Sequence, residues 1–193
     1  MTAGLTSYSA AYATGLLLSR KILSHLKLDD LYKGNDNIDG NDYNVSVNPN
    51  PKRRPFMAVL DIGIRRPTVG NRVFGVMKGA TDGGIHVPHS VKKFPGYTKG
   101  QTKKEAKYDA AVHRDRIYGV HVDAYRETLK EKSEDAYKKQ FSQWDACLKK
   151  GGVESVEDFM EKVFSAIRKE TFTKTERKKK YEPKFMNTEK SEV

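Results

Sequence analysis

The sequence has one cysteine, Cys147, in 193 residues. A single thiol can close no internal disulfide and cannot seed a cysteine-based zinc cluster, so a reducing intracellular compartment is the natural setting. No apolar run approaches the roughly 18 residues that a membrane span needs. Thr2–Thr14 lacks the basic segment of a signal peptide, and the Leu16–Leu18 run is too short to serve as its apolar core. G-x-S-x-G, H-E-x-x-H and P-loop patterns are all absent from the sequence. Apolar residues make up 37% and mean hydropathy is −0.74, enough for a modest core but leaning toward a partner-dependent fold.

Acidic residues are outnumbered, 25 Asp/Glu against 36 Lys/Arg, for a net charge of +11. The excess is concentrated. Residues 52–126 carry sixteen Lys/Arg against six Asp/Glu, while 1–51 and 127–167 are close to neutral. Such a localised positive field attracts polyanions, of which nucleic acid is the commonest. An anionic membrane surface fits less well, because no basic amphipathic helix carries a bulky apolar face to insert.

The local pattern predicts an α/β fragment, a helix–strand–helix remnant of a small α/β domain, followed by a mostly helical C-terminal region and a basic tail. Tyr8, Ala11, Tyr12, Gly15, Leu18, Ile22 and Leu26 recur at three- and four-residue spacing and share one helical face, with Thr6 or Ser7 as cap. Gly15 inside that helix implies close packing. An Asn/Asp/Gly/Pro-rich connection follows, with a short strand at Tyr43–Val47. Phe56–Ile62 is an apolar run bounded by Pro55 and Gly63, as in a buried strand. Val73, Val76, Met77 and Ala80 mark a second helix, stopped at Gly83-Gly84. Further helices are expected from Lys104 to Arg116 and from Val120 to Lys132, then through Trp144 and through Phe159. The expected organisation is a truncated α/β core (1–84), a basic Pro/Gly loop (85–103), a helical region (104–169) and a basic, flexible tail (170–193).

Several motifs carry chemistry. His113–Asp115 reads H-R-D, but the magnesium-binding Asn of a kinase catalytic loop is replaced by Val120. His86 and His89 have no third ligand at metal spacing, so no metal and no cofactor is expected. Asp61 ends a strand without a second acid or base and is expected to cap the turn after it. Arginine forks at Lys52, Arg53 and Arg54, and at Arg65, Arg66 and Arg72 beside Thr68 and Asn71, suit phosphate oxygens. In "VPHSVKKFPGY", Lys92 and Lys93 can neutralise phosphates while Tyr97, more than Phe94, offers a ring for an unpaired base.

The segments "LTSYSAAYATGLLLSRKIL", "LDIGIRRPTVGNRVFGVMKGATDGGIHVPHSVKKFPGY", "HRDRIYGVHVDAY" and "EDAYKKQFSQW" closely resemble the eukaryotic large-subunit ribosomal protein family that binds 5S rRNA, L-five in eukaryotes and L-eighteen in bacteria. The resemblance runs from about Gly4 to Lys169. It implies a non-enzymatic component of the central protuberance that binds 5S rRNA and large-subunit rRNA. Implied partners are a neighbouring protein of the L-eleven family and ribosome assembly factors, with a cytoplasmic location and a nucleolar assembly stage. Positions matching the family's RNA-facing turns are Arg65, Arg66, Thr68, Asn71 and Arg72, then His86, His89, Ser90, Lys92, Lys93 and Tyr97, with His113, Arg114 and Arg116 in a further matched segment. Family members begin with a basic extension and several strands before the helix that starts here near Leu5. A second chain supplying that part is one explanation, beside a partial gene model and a true short form. The alternative function is a shortened, extra-ribosomal protein-interaction module in ribosome assembly. A histidine-dependent nuclease or hydrolase would rest on His86, His89 and His113 alone.

Overall fold

The structure, a computed structural model, describes residues 3–47, 50–100 and 105–170. Helix α1 spans Tyr8–His25 and opens on Ser7, whose hydroxyl accepts from the Ala10 N–H at 3.1 Å. Helix α2, Arg72–Asp82, lies directly across it. The approach is so close that a Cβ on Gly15 would sit 2.0 Å from the Val76 carbonyl oxygen, and one on Gly79 would sit 2.1 Å from that of Tyr12. Only glycine permits this contact, which explains why Gly15 is retained at a helix-interior cost of about 1 kcal/mol. The buried stripe of α1 follows Tyr8, Tyr12, Gly15 and Leu16, then Ser19 and Leu23. Leu18, expected on that stripe, is 49% exposed because the small Ser19 faces α2 instead.

Helix α2 is buried almost all round, including two charged residues. The Lys78 ammonium donates at 2.6 Å to the Asp82 carboxylate and at 2.6 Å to the Asn41 carbonyl. The Tyr12 hydroxyl donates to the other Asp82 oxygen at 2.7 Å. Burial lifts the Asp82 carboxyl above its usual range, with Lys78 pulling it back. This pair joins α1, α2 and the loop at Asn41.

Beyond α2 the chain forms two two-residue strands, β1 (Tyr97–Thr98) and β2 (Lys107–Tyr108), paired antiparallel with Tyr97 opposite Tyr108. Helix α3 follows at Ala110–Tyr118, capped by the Asp109 carboxylate, and α4 at Val120–Lys132. The helix expected from Lys104 therefore starts six residues later, because Lys107 and Tyr108 pair with β1; positions 101–104 lie outside the described residues. Helices α5 (Glu134–Gly151) and α6 (Val156–Lys169) complete the fold, opened by Ser133 and Ser155. The tail expected over 170–193 lies, after Glu170, outside the described residues.

Two apolar cores result. One gathers the N-terminal half of α1 with Ile117, Phe141, Trp144, Met160 and Phe164. The other gathers Leu23 with Leu28, Tyr32, Phe74, Met77, Ile85, Val87 and Phe94. Leu16, Leu23, Ile117 and Met160 are fully buried, each contributing about 2 kcal/mol by the area rule.

Two strand expectations are corrected. Val45–Val47 is a single 3-10 turn. Phe56–Ile62 is extended but forms only one parallel bridge, Met57 opposite His86, through Ala58 N–H to His86 O and His86 N–H to Phe56 O, both 2.9 Å. Its side chains alternate half-buried and exposed, with Val59 81% exposed, so it is a one-sided strand and not a buried one. Among the described residues no strand covers its other edge, which leaves a mostly helical chain with a small mixed α/β element.

Candidate nucleic-acid interface

The arginine turn is built by local hydrogen bonds. The Asp61 carboxylate accepts from the Gly63 N–H at 2.8 Å, capping the turn as its position at the strand end implies. The Thr68 N–H then reaches the Arg66 carbonyl at 3.0 Å, and Asn71 caps α2 by accepting from the Val73 N–H at 3.3 Å. The loop at Lys93 is stitched to this turn. The Gly70 N–H donates to the Lys93 carbonyl and the Lys93 ammonium to the Pro67 carbonyl, both at 2.9 Å. Two segments some 25 residues apart in sequence thus form one surface. Arg65, Arg66, Thr68 and Lys92 project from it exposed, and Ser90 lies beside them. No acidic residue occurs between Asp61 and Asp82 and none stands in the first turn of α2, while the Asp61 carboxylate is engaged on the Gly63 N–H, so the turn keeps a net positive charge.

Other cations have internal work. Arg20 donates to the Tyr32 carbonyl at 2.9 Å, and Arg168 pairs with Asp36 at 2.8 Å. Arg126 bridges Asp123 and Asp145 at 2.7 and 3.0 Å. The contrast with Arg65, Arg66 and Lys92, which make no ion pair among the described residues, separates structural cations from available ones.

The expected site residues divide accordingly. Lys52, Arg53 and Arg54 are exposed but lie apart from the turn, near the end of α1, where Arg53 donates to the Leu26 carbonyl at 3.3 Å. Arg72 is exposed and donates to the Thr6 carbonyl at 2.8 Å. His86 contacts the Asn44 amide oxygen at 3.0 Å, and Tyr97 is half-buried in β1. Arg116 is exposed on α3.

Two expectations, His113 and His89, are corrected. His113 is fully buried. The Tyr108 hydroxyl donates to the Gly40 carbonyl, so its oxygen accepts from His113 Nδ1–H at 2.7 Å, and Nε2 accepts from the Tyr8 hydroxyl at 2.8 Å. Its ring stacks on Phe94 at 4.6 Å. Burial pushes the imidazole down to about 3, so it stays neutral and cannot meet a phosphate. His89 is turned inward, its side chain 8% exposed, with Nδ1 2.6 Å from the Val87 carbonyl and Nε2 3.0 Å from Asp42. Arg114 stays partly exposed; it pairs with Glu157 of α6 at 3.0 Å and lies 4.6 Å over the Tyr118 ring of its own helix, tying α3 to α6.

Sequence reasoning missed the half-apolar cleft beside the turn, where Tyr8, Val69, Pro95 and Val112 meet. Four separate chain segments form it, and no local pattern marks such a meeting. Among the described residues no group of three His, Cys, Asp or Glu could hold a metal, and no helix is long and apolar enough to cross a membrane.

Residues 1–90 match a family model described as ribosomal large subunit proteins 60S L5 and 50S L18. The chain is 47% identical over 185 residues to the large ribosomal subunit protein uL18 of Tetrahymena thermophila, covering 95% of this chain and 61% of that protein. It is 52% identical over 178 residues to uL18 of Theileria annulata (92% and 56%) and 45% identical over 189 residues to uL18 of Helianthus annuus (97% and 60%). The chain thus spans 56 to 61% of the length of these three relatives. With matches of this depth along nearly its whole length, the chain belongs to the family of large-subunit ribosomal proteins that includes 60S L5 and 50S L18.

Proposed function

We propose that the chain is a structural, non-catalytic constituent of the cytosolic large ribosomal subunit, and that it binds 5S rRNA in the central protuberance while contacting large-subunit rRNA. The observation that carries this reading is the stitched surface of Arg65, Arg66, Thr68 and Lys92, exposed, net cationic and with no ion pair on its arginines or on Lys92 among the described residues. Arginine forks and a lysine held on a shaped turn suit phosphate oxygens, and phosphate contacts position a protein on RNA. Family membership supports the ribosomal setting. Lys52–Arg54, on another face, supply a second phosphate contact in this reading. The neighbouring partner is a protein of the L-eleven family, and assembly passes through a nucleolar stage with assembly factors.

The open edge of Phe56–Ile62 supports a further partner, an extended segment that adds a strand beside it. Among the described residues the segment makes one bridge, and an added strand would pair the backbone groups left open on its other edge. This edge also favours the second reading, an assembly module held by protein contacts. Sucrose-gradient sedimentation of the tagged chain from cells distinguishes the two. Co-migration with large subunits is the expected result; recovery solely in a light, RNA-free protein complex overturns the ribosomal reading.

A further inference from the structure

The surface described above ends in a cleft of about 330 Å³ between the start of α1, the arginine turn, the segment at Pro95 and helix α3. That volume is at the lower end of ligand pockets and too small for a helix. Its walls are Val69 and Val112, 49% and 42% exposed, with Pro95 and the Tyr8 ring behind them. Gly70 contributes no side chain, and a Cβ there would find only the Pro95 ring at 3.9 Å, so the space stays open. Arg116 lies one turn after Val112 on α3, hence on the same face, and makes no ion pair among the described residues. Asp109, at the start of that helix, has its carboxylate engaged as the cap on the Ala111 N–H at 3.0 Å, and the exposed Asp115, one residue before Arg116, is turned about 100° around the helix from it.

A half-apolar slot with a cationic rim matches the two halves of a nucleotide. A planar base fills the space between aliphatic walls, and its phosphate reaches the rim. An apolar protein side chain would match the walls but leave Arg116 and the adjoining turn with no counter-charge, which disfavours it. We propose that this cleft receives one unstacked base of the bound RNA strand, with Arg116 on the adjacent phosphate. The inference rests on the RNA-binding reading and adds to it a base-dependent contact beside the backbone contacts of the turn.

The test uses the full chain with two probes, single-stranded oligouridylate, whose bases are already unstacked, and an abasic ribose-phosphate strand of equal length. Base contacts of this kind are worth about ten-fold in affinity. The expected result is about ten-fold tighter binding of oligouridylate. Val112→Gln and Val69→Gln, each an uncharged side chain that fills and polarises the slot from a different segment, should each remove that difference. Affinity for the abasic strand and its salt dependence should stay unchanged. Two variants on separate elements keep the test meaningful if one disturbs the fold.

Equal wild-type affinity for the two strands overturns the base site while leaving backbone binding intact, and is the result expected if a protein side chain occupies the cleft. Equal loss on both strands in both variants also overturns it. Displacement of oligouridylate by an equimolar amount of free uridine monophosphate would make the cleft a nucleotide site and overturn the strand-base assignment. Binding of neither strand by the wild type removes the RNA-binding reading and the base site with it.

Discussion

Replacing Arg65, Arg66 and Lys92 together with alanine is expected to weaken ribosomal RNA binding about 100-fold near physiological salt. Each side chain is exposed and makes no ion pair among the described residues, so the folded chain loses little by their removal. Each charge-assisted contact to phosphate is worth on the order of 1 kcal/mol net, and three together give about two decades in affinity. Neutralising a phosphate also releases counterions, so the slope of log affinity against log salt should fall by about two to three. Arg72 is left in place because its guanidinium holds the Thr6 carbonyl, and its loss would mix folding with binding. The measurement is fluorescence anisotropy with labelled 5S rRNA across a salt series. Unchanged affinity and slope would make the turn ordinary surface.

The second large effect is on stability. Lys78→Met should cost about 3–5 kcal/mol, because it strands a buried Asp82 carboxylate and unpairs the Asn41 carbonyl. That is a large share of the 5–15 kcal/mol typical of a folded domain. Lys78→Met combined with Asp82→Leu should recover most of the loss, since no lone charge remains. About 1–2 kcal/mol should persist, from the Tyr12 hydroxyl and the Asn41 carbonyl left without partners. Urea unfolding followed by circular dichroism reads both. A double variant no more stable than the single one would mean that the pair itself, not its imbalance, holds α1 and α2 together.

These two results bear on what the amino-acid sequence made legible. Helices α1, α5 and α6 were readable because apolar residues recur at the helical period, with Ser7 also legible as the cap of α1. The close crossing of α1 was readable from Gly15. Burial of Lys78 and Asp82 was not, because a face of Val73, Val76, Met77 and Ala80 says nothing about what packs on the other side. His113 was placed among RNA-facing positions because it falls in a segment matching the family; Tyr8, Phe94 and Tyr108, which enclose it, come from three other places in the chain. The α3 start was missed for a related reason, since the pairing of Lys107 and Tyr108 with β1 is decided across a turn and not by helical periodicity. The clustering of charge in the middle of the chain was visible from composition. Its division into exposed forks and internally engaged arginines, such as Arg114 and Arg126, needed tertiary contacts.

The central claim is that the stitched arginine turn and lysine loop lie against folded ribosomal RNA. The most direct measurement is ultraviolet cross-linking of the full chain in complex with 5S rRNA, followed by mass-spectrometric mapping of the adducts. The account predicts adducts within residues 64–72 and 90–97. Adducts confined to helices α4–α6, with both of those segments unmodified in a complex that demonstrably holds the RNA, would contradict it.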